Sequence, residues 1–126
     1  MNSLLSNDKV TIVSAAQAEV MDFEWGQLTW FASAAQGNCK EMTVGRCILA
    51  PGCANPLHRH PNCTEVLVVQ EGHIMHTIEE GKEIEMKAGD TITIPAHLPH
   101  RARNIGDTPA VLTIVFSSAQ RETIGE

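Results

Sequence analysis

The chain has no tyrosine among its 126 residues, and its aromatic content is two tryptophans and three phenylalanines. Any mechanism that needs a tyrosine hydroxyl as acid or base is excluded. Basic residues are scarce as well. Nine lysines and arginines stand against fifteen acidic residues, giving a net charge of -6 and a pI near 5.4. No two lysines or arginines are adjacent, so neither nucleic acid nor an anionic membrane is an expected partner. A small anionic metabolite is not excluded, because one local arginine attracts it whatever the net charge. No apolar stretch approaches the ~20 residues of a membrane span, and Met1 to Val10 lacks a basic region followed by an apolar run. The expectation is a soluble, cytoplasmic protein. Cys39, Cys47, Cys53 and Cys63 contain no C-x-x-C spacing, which favours reduced thiols. Most are expected as small buried residues, with Cys53 and Cys63 placed to lie near a pocket. A phosphate loop, a nucleotide fingerprint and a Ser-His-Asp order are all missing.

Two-residue alternation is what the chain does have. Val10–Val13, Leu28–Ala32, Met42–Ala50, Glu65–Gln70, Ile74–Ile78, Ile84–Lys87, Thr91–Pro95 and Ala110–Ser117 are short runs rich in Val, Ile, Thr or Leu, the pattern of half-buried strands. Turn-forming residues separate them, among them Pro51-Gly52, Pro61-Asn62, Glu71-Gly72 and Ala88-Gly89-Asp90. About eight short strands at this spacing predict an all-β sandwich or barrel with antiparallel pairing. One helix is expected, over Ser14–Met21 with Ser14 as its N-cap. There is no internal repeat and no linker, so residues 1–126 are read as a single domain with its barrel core over about 40–118.

Within this pattern lies a set of metal-ligand side chains. On an extended strand, residues two apart share a face roughly 6.5–7 Å apart, so His58 and His60 can converge on one ion while Arg59 points away. Glu65 follows at an odd offset, which Pro61-Asn62 resolves by turning the chain and starting a new strand beside the first. His100 follows Pro95 and Pro99 at the mouth of a later strand. Three imidazoles and a carboxylate suit one divalent ion, iron or manganese foremost and nickel or zinc next, with open positions for water or substrate.

Gly52-x5-His58-x-His60-x4-Glu65-x6-Gly72 and Gly89-x5-Pro95-x-His97-x2-His100-x3-Asn104 resemble the two cupin motifs, and the resemblance runs from about Val44 to Ser117. His97 departs from it, standing where glycine is usual. The resemblance implies a double-stranded β-helix, or jelly-roll barrel, with a short N-terminal extension and the ion held inside by His58, His60, Glu65 and His100. It also turns the face shared by Ile74, His76 and Ile78 into the barrel. His76 is then an interior histidine, either a proton shuttle or substrate contact or a hydrogen-bonded core residue, whereas His73 and His97 belong to the surface. Catalytic acid–base work falls on Glu65 and His76 or on metal-bound hydroxide. If Phe116 faces inward so does Ile114, and the far wall is apolar. Cupins acting on unsaturated uronates carry an aspartate and an arginine near this strand; Ile114 at the acid position and Arg121, shifted by one, argue against that activity.

Cupins include oxygenases, isomerases, lyases and plain binding proteins, so the family leaves the reaction open. The expectation is a mononuclear dioxygenase-type oxidoreductase acting on a small oxygen-rich metabolite. A metal-dependent isomerase or lyase acting on a hydroxy or keto acid, and a non-catalytic binding protein, are the alternatives. Trp25, Trp30 and Phe31 are assigned to core packing or a dimer contact ahead of an aromatic pocket rim, and Arg46, Arg59, Arg101 and Arg103 to solvent. A homodimer is expected from these N-terminal apolar groups.

Overall fold

A computed structural model describes residues 3–6, 10–79 and 81–125. Its strands are β1 (Ser3–Ser6), β2 (Thr11–Val13), β3 (Glu19–Phe23), β4 (Gly26–Ala32), β5 (Thr43–Leu49), β6 (Glu65–Glu71), β7 (His73–Ile78), β8 (Lys82–Lys87), β9 (Thr91–Ile94), β10 (His100–Asn104) and β11 (Ala110–Phe116). All pairing is antiparallel, in a six-stranded sheet of order β3-β4-β5-β11-β6-β9 and a three-stranded sheet of order β10-β7-β8, with β1 and β2 as a separate ribbon. The two larger sheets form the expected jelly roll. No helix among the described residues is long and apolar enough to cross a membrane.

Alternation along each strand builds the interior. Ala110, Leu112, Ile114 and Phe116 of β11 are buried while Val111, Thr113 and Val115 are half-buried on the other face, and β5 and β6 alternate in the same way. Leu49 and Leu112 are 0% and 1% exposed, each worth about 2–3 kcal/mol of burial. Gly45 permits a close contact in this core. A Cβ there would lie 2.5 Å from Trp30 Cε3 and 2.7 Å from the Thr29 carbonyl oxygen, so only glycine lets the indole lie across β5. Gly72 turns β6 into β7 at φ +98°, where an L side chain is strained.

The expected helix over Ser14–Met21 is a single 3-10 turn, Ala15–Gln17. Ser14 holds its start, with its N–H and Oγ both directed at Gln17 Oε1, but Glu19 to Met21 belong to β3. Tertiary pairing decides this: β3 takes its hydrogen bonds from β4, with Met21 opposite Leu28, and overrides the local helical preference.

Candidate metal centre

Glu65 opens β6 and His100 opens β10, whereas His58 and His60 lie on a short extended stretch before the Pro61-Asn62 turn. That stretch does not lie beside β6 as its sequence suggests. His58 and His100 exchange backbone hydrogen bonds of 3.0 and 2.8 Å, and Arg59 pairs with Ile124. β6 runs instead between β11 and β9. The period-two expectation within the stretch holds: His58 and His60 are buried and Arg59 is exposed. His97 occupies the usual glycine position at φ 72°, and its N–H donates to the His60 carbonyl at 2.9 Å, so the turn survives the substitution.

Each of the three imidazoles gives its Nδ1–H to a main-chain carbonyl: His58 to Pro56 at 2.7 Å, His60 to Glu122 at 3.0 Å and His100 to Leu98 at 2.9 Å. This fixes the tautomer and turns every Nε2 inward. There, His100 Nε2 lies 3.0 Å and His60 Nε2 3.3 Å from Glu65 Oε1. Ligand atoms from His58, His60, Glu65 and His100 all lie within 4.8 Å of one another, and all four residues are buried. His60 Nε2 has no hydrogen-bond partner. A buried carboxylate ringed by inward lone pairs, one of them unmatched, has the chemistry of a divalent-cation site.

Titration prepares the same set. Burial works to raise the Glu65 carboxyl and is outweighed by His100 and His60, which bring it down to about 2. Burial, followed by the neighbouring His100 and His60, lowers His58 to about 4. For His100 burial is outweighed by its hydrogen bond and charge pairing with Glu65, so its pKa is raised. A proton between His100 and Glu65 occupies the place that a cation would take.

The site opens on a cavity of about 30 Å³. Leu112, Ile114 and Phe116 form the apolar far wall read from the sequence. His76 enters from β7, 1% exposed, with neither ring nitrogen hydrogen-bonded and its ring 5.7 Å from that of His100. Burial first, then His100, lowers its pKa to about 4. The inward face of Ile74, His76 and Ile78 is as expected, as are the exposed His97 and the half-buried His73, which meets Glu85 at 2.5 Å. Arg59 and Arg101 are exposed, but Arg103 is half-buried and 3.9 Å from Glu83, and Arg46 lies 5.5 Å from the Phe31 ring centre.

Other lining residues were missed by the sequence or given another role there. Cys47, rather than Cys53 or Cys63, faces the cavity, and the β5 alternation was the signal available for it. Trp25 and Trp30 line the cavity while also packing with the core. Asn55 and Arg121 line it from outside the named strands, where no periodicity points inward.

Comparison with known proteins agrees with this geometry. The family described as Cupin domain matches residues 45–116, more than half of the chain. Oxalate oxidase GF-3.8 of Triticum aestivum is 33% identical over 88 residues, and germin-like protein 3-5 of Oryza sativa subsp. japonica is 36% identical over 88 residues; each match covers 64% of this chain and 39% of the relative. The chain thus spans well under half the length of these relatives. Among solved structures, the formate complex of Lactobacillus farciminis oxalate decarboxylase superposes with a TM-score of 0.82 at 23% identity, covering 90% of this chain and 35% of that one. An oxalate oxidase structure gives a TM-score of 0.75 at 26% identity, covering 88% and 60%. With two sheets closed as a jelly roll, both motifs in place and a three-histidine, one-glutamate cluster inside, the chain belongs to the cupin family.

Proposed function

We propose that this cupin holds one divalent ion through His58, His60, Glu65 and His100, iron or manganese in preference to nickel or zinc, and carries out O2-dependent oxidative cleavage of a small oxygen-rich acid. The observation that carries the reading is the convergence of these four side chains on a cavity of only about 30 Å³. One water needs ~10–15 Å³ by this measure, so the space holds two or three waters and favours a small chelating acid over a sugar ring. Similarity to proteins named oxalate oxidase makes oxalate the first substrate to try. The bound ion would supply Lewis acidity and one-electron redox chemistry.

The remaining roles belong to the chain. Glu65, ionised at neutral pH, balances charge at the site, and the backbone-tethered histidines hold their Nε2 lone pairs in place. Leu112, Ile114 and Phe116 keep water from the reacting acid. His76 is neutral at neutral pH and offers one N–H and one lone pair to the cavity, which lets it take the proton of a bound acid or return one to product. Isomerase chemistry has less support, because the cavity offers few acid–base groups beyond the ligand set and the chain has no tyrosine.

Protein reconstituted with Fe(II) or Mn(II) is expected to consume O2 with oxalate or another two-carbon acid and to stop when chelated. His76→Ala should lower turnover about a hundredfold, as loss of a general acid–base does, while keeping its metal. Equal product formation without O2 would replace the oxidative reading by Lewis-acid lyase chemistry.

A further inference from the structure

Strand register gives the barrel interior two distinct ends. On β11, Phe116 lies opposite Glu65 of β6, whereas Ala110, at the other end of the strand, lies opposite Leu49, which in turn faces Gly26 of β4. β10 runs between the same two levels. His100 starts among the metal ligands, Ala102 pairs with His76, and Asn104 donates from Nδ2 to the Leu49 carbonyl at 2.9 Å. The imidazole–carboxylate cluster therefore occupies one end, His76 the middle, and the turn between β3 and β4 the other end. That turn carries Trp25, which lines the same cavity as the ligand set.

Three contacts hold the indole in that position. Its ring is stacked on Phe23, with centres 4.7 Å apart and planes 6° from parallel. The Trp25 carbonyl accepts the Ala50 N–H at 2.9 Å. Gly26 approaches β5 so closely that a Cβ on it would come within 1.8 Å of the Ile48 carbonyl oxygen, which seats the whole turn against the sheet. Phe23, the outer ring of the stack, is 36% exposed, whereas Trp25 is half-buried and packs against the core. Just inside the indole, Leu28, Cys47 and Leu112 form one row across β4, β5 and β11, and all three line the cavity without a charged group among them. A fixed apolar wall of this kind discriminates by about 10- to 200-fold for each methylene that presses on it.

We propose that Trp25 is the specificity-determining residue of this site: it closes the barrel end opposite the ion, sets the depth of the cavity, and so limits the length of the acid that the ion can hold inside. This rests on the reading of the site as one for a small acid, but its test is a ratio of affinities and does not depend on turnover. Wild type, Trp25→Leu and Trp25→Phe are loaded anaerobically with Fe(II) and their metal content is measured. Binding of pyruvate, 2-oxobutyrate and 2-oxohexanoate, which share one chelating end and differ in the length of an apolar tail, is then read by calorimetry. Binding of nitric oxide, a probe without a tail, is read by electron paramagnetic resonance.

The expected result is unchanged metal content and nitric oxide binding in all three proteins, with wild type binding each longer acid more weakly than pyruvate. The ratio of the 2-oxohexanoate Kd to the pyruvate Kd should fall at least tenfold in Trp25→Leu. Trp25→Phe keeps a ring to stack on Phe23, so it reports even where the leucine variant does not fold, and its ratio should fall about threefold. Ratios within about twofold of wild type in the folded variants overturn the proposal. So does loss of metal or nitric oxide binding in both, which would mark the indole as structural support for the ligand cluster. A wild type that binds none of the acids would sink the small-acid reading; a gain of the longer acids in Trp25→Leu would then still sustain this inference, and no gain would overturn it as well. Length-graded binding in a protein that never consumes O2 would sustain this inference and sink the oxidative reading alone.

Discussion

At the scale of single residues, the site is organised by what holds the far side of each ligand. The carbonyls of Pro56, Glu122 and Leu98 each take an Nδ1–H, so ring orientation is set by main chain that other pairing already fixes. Removing one of four such ligands normally weakens binding at least tenfold. His60→Ala is therefore expected to lower occupancy by that factor in elemental analysis, and full occupancy in a His58→Ala, His60→Ala double variant would refute the ligand assignment. His58, His60, Glu65 and His100 were legible because three of the six histidines and one glutamate fall at metal-ligand spacing, each beside a turn residue whose geometry can be reasoned from sequence. Arg121 was read only as an arginine one position off that of the uronate-acting cupins: it follows the last strand, and its neighbours are held by Asn62, which donates to the Gln120 carbonyl and accepts the Glu122 N–H. His76 was half legible. Parity placed it inside, but only the fold shows that both its nitrogens lack partners.

Strands with a buried face announced themselves; strands without one did not. β11 alternates cleanly and was read to within a residue, whereas β3 is exposed along all five residues and β10, His-Arg-Ala-Arg-Asn, carries a single apolar side chain. The pairing of β10 with β7 is a long-range choice that no local period encodes. The same exposure of β3 bears on assembly. Trp30 proves to be core and Trp25 stacks on Phe23 at 4.7 Å, so the aromatic groups that first suggested a dimer are largely used within the chain. β3 instead forms one edge of the six-stranded sheet with Val20, Met21 and Phe23 36–50% exposed, and an apolar edge of this kind invites pairing with a second copy. We expect a homodimer joined along β3. Light scattering at micromolar concentration should give twice the chain mass, and Val20→Lys should return it to the monomer value; a monomeric wild type would count against the pairing.

For the molecule as a whole, the ion and the proton compete for one cluster that joins the segment before β6 to both large sheets. A cation bound only by the folded chain adds about 4 kcal/mol at a thousandfold excess over Kd, so chelation should lower the Tm by roughly 10–15 °C. The apolar core between the sheets keeps the metal-free chain folded at room temperature. Its pH dependence follows from the signs of the shifts. His58 and His76 sit near 4 when folded against 6.5 unfolded. The unfolded chain therefore binds their protons first, and stability falls as pH drops from 6.5 towards 4. Glu65, lowered to about 2 from 4.5, contributes stability that is lost below 4.5. His100 acts in the opposite direction. Its raised pKa gives stability that is complete below 6.5 and disappears as pH rises through the folded value. The metal-free protein should thus be most stable near pH 6.5 and weaken on both sides. A bound cation takes the place of the proton between His100 and Glu65, so the alkaline decline should vanish in the loaded protein while the acid decline steepens as protons displace the ion. Scanning calorimetry of loaded and chelated samples should show a larger gap in Tm at about pH 8 than at about pH 6. A gap that shrinks with rising pH, or a melting curve unaltered by verified metal removal, would mean that the ion does not bind at His100 and Glu65.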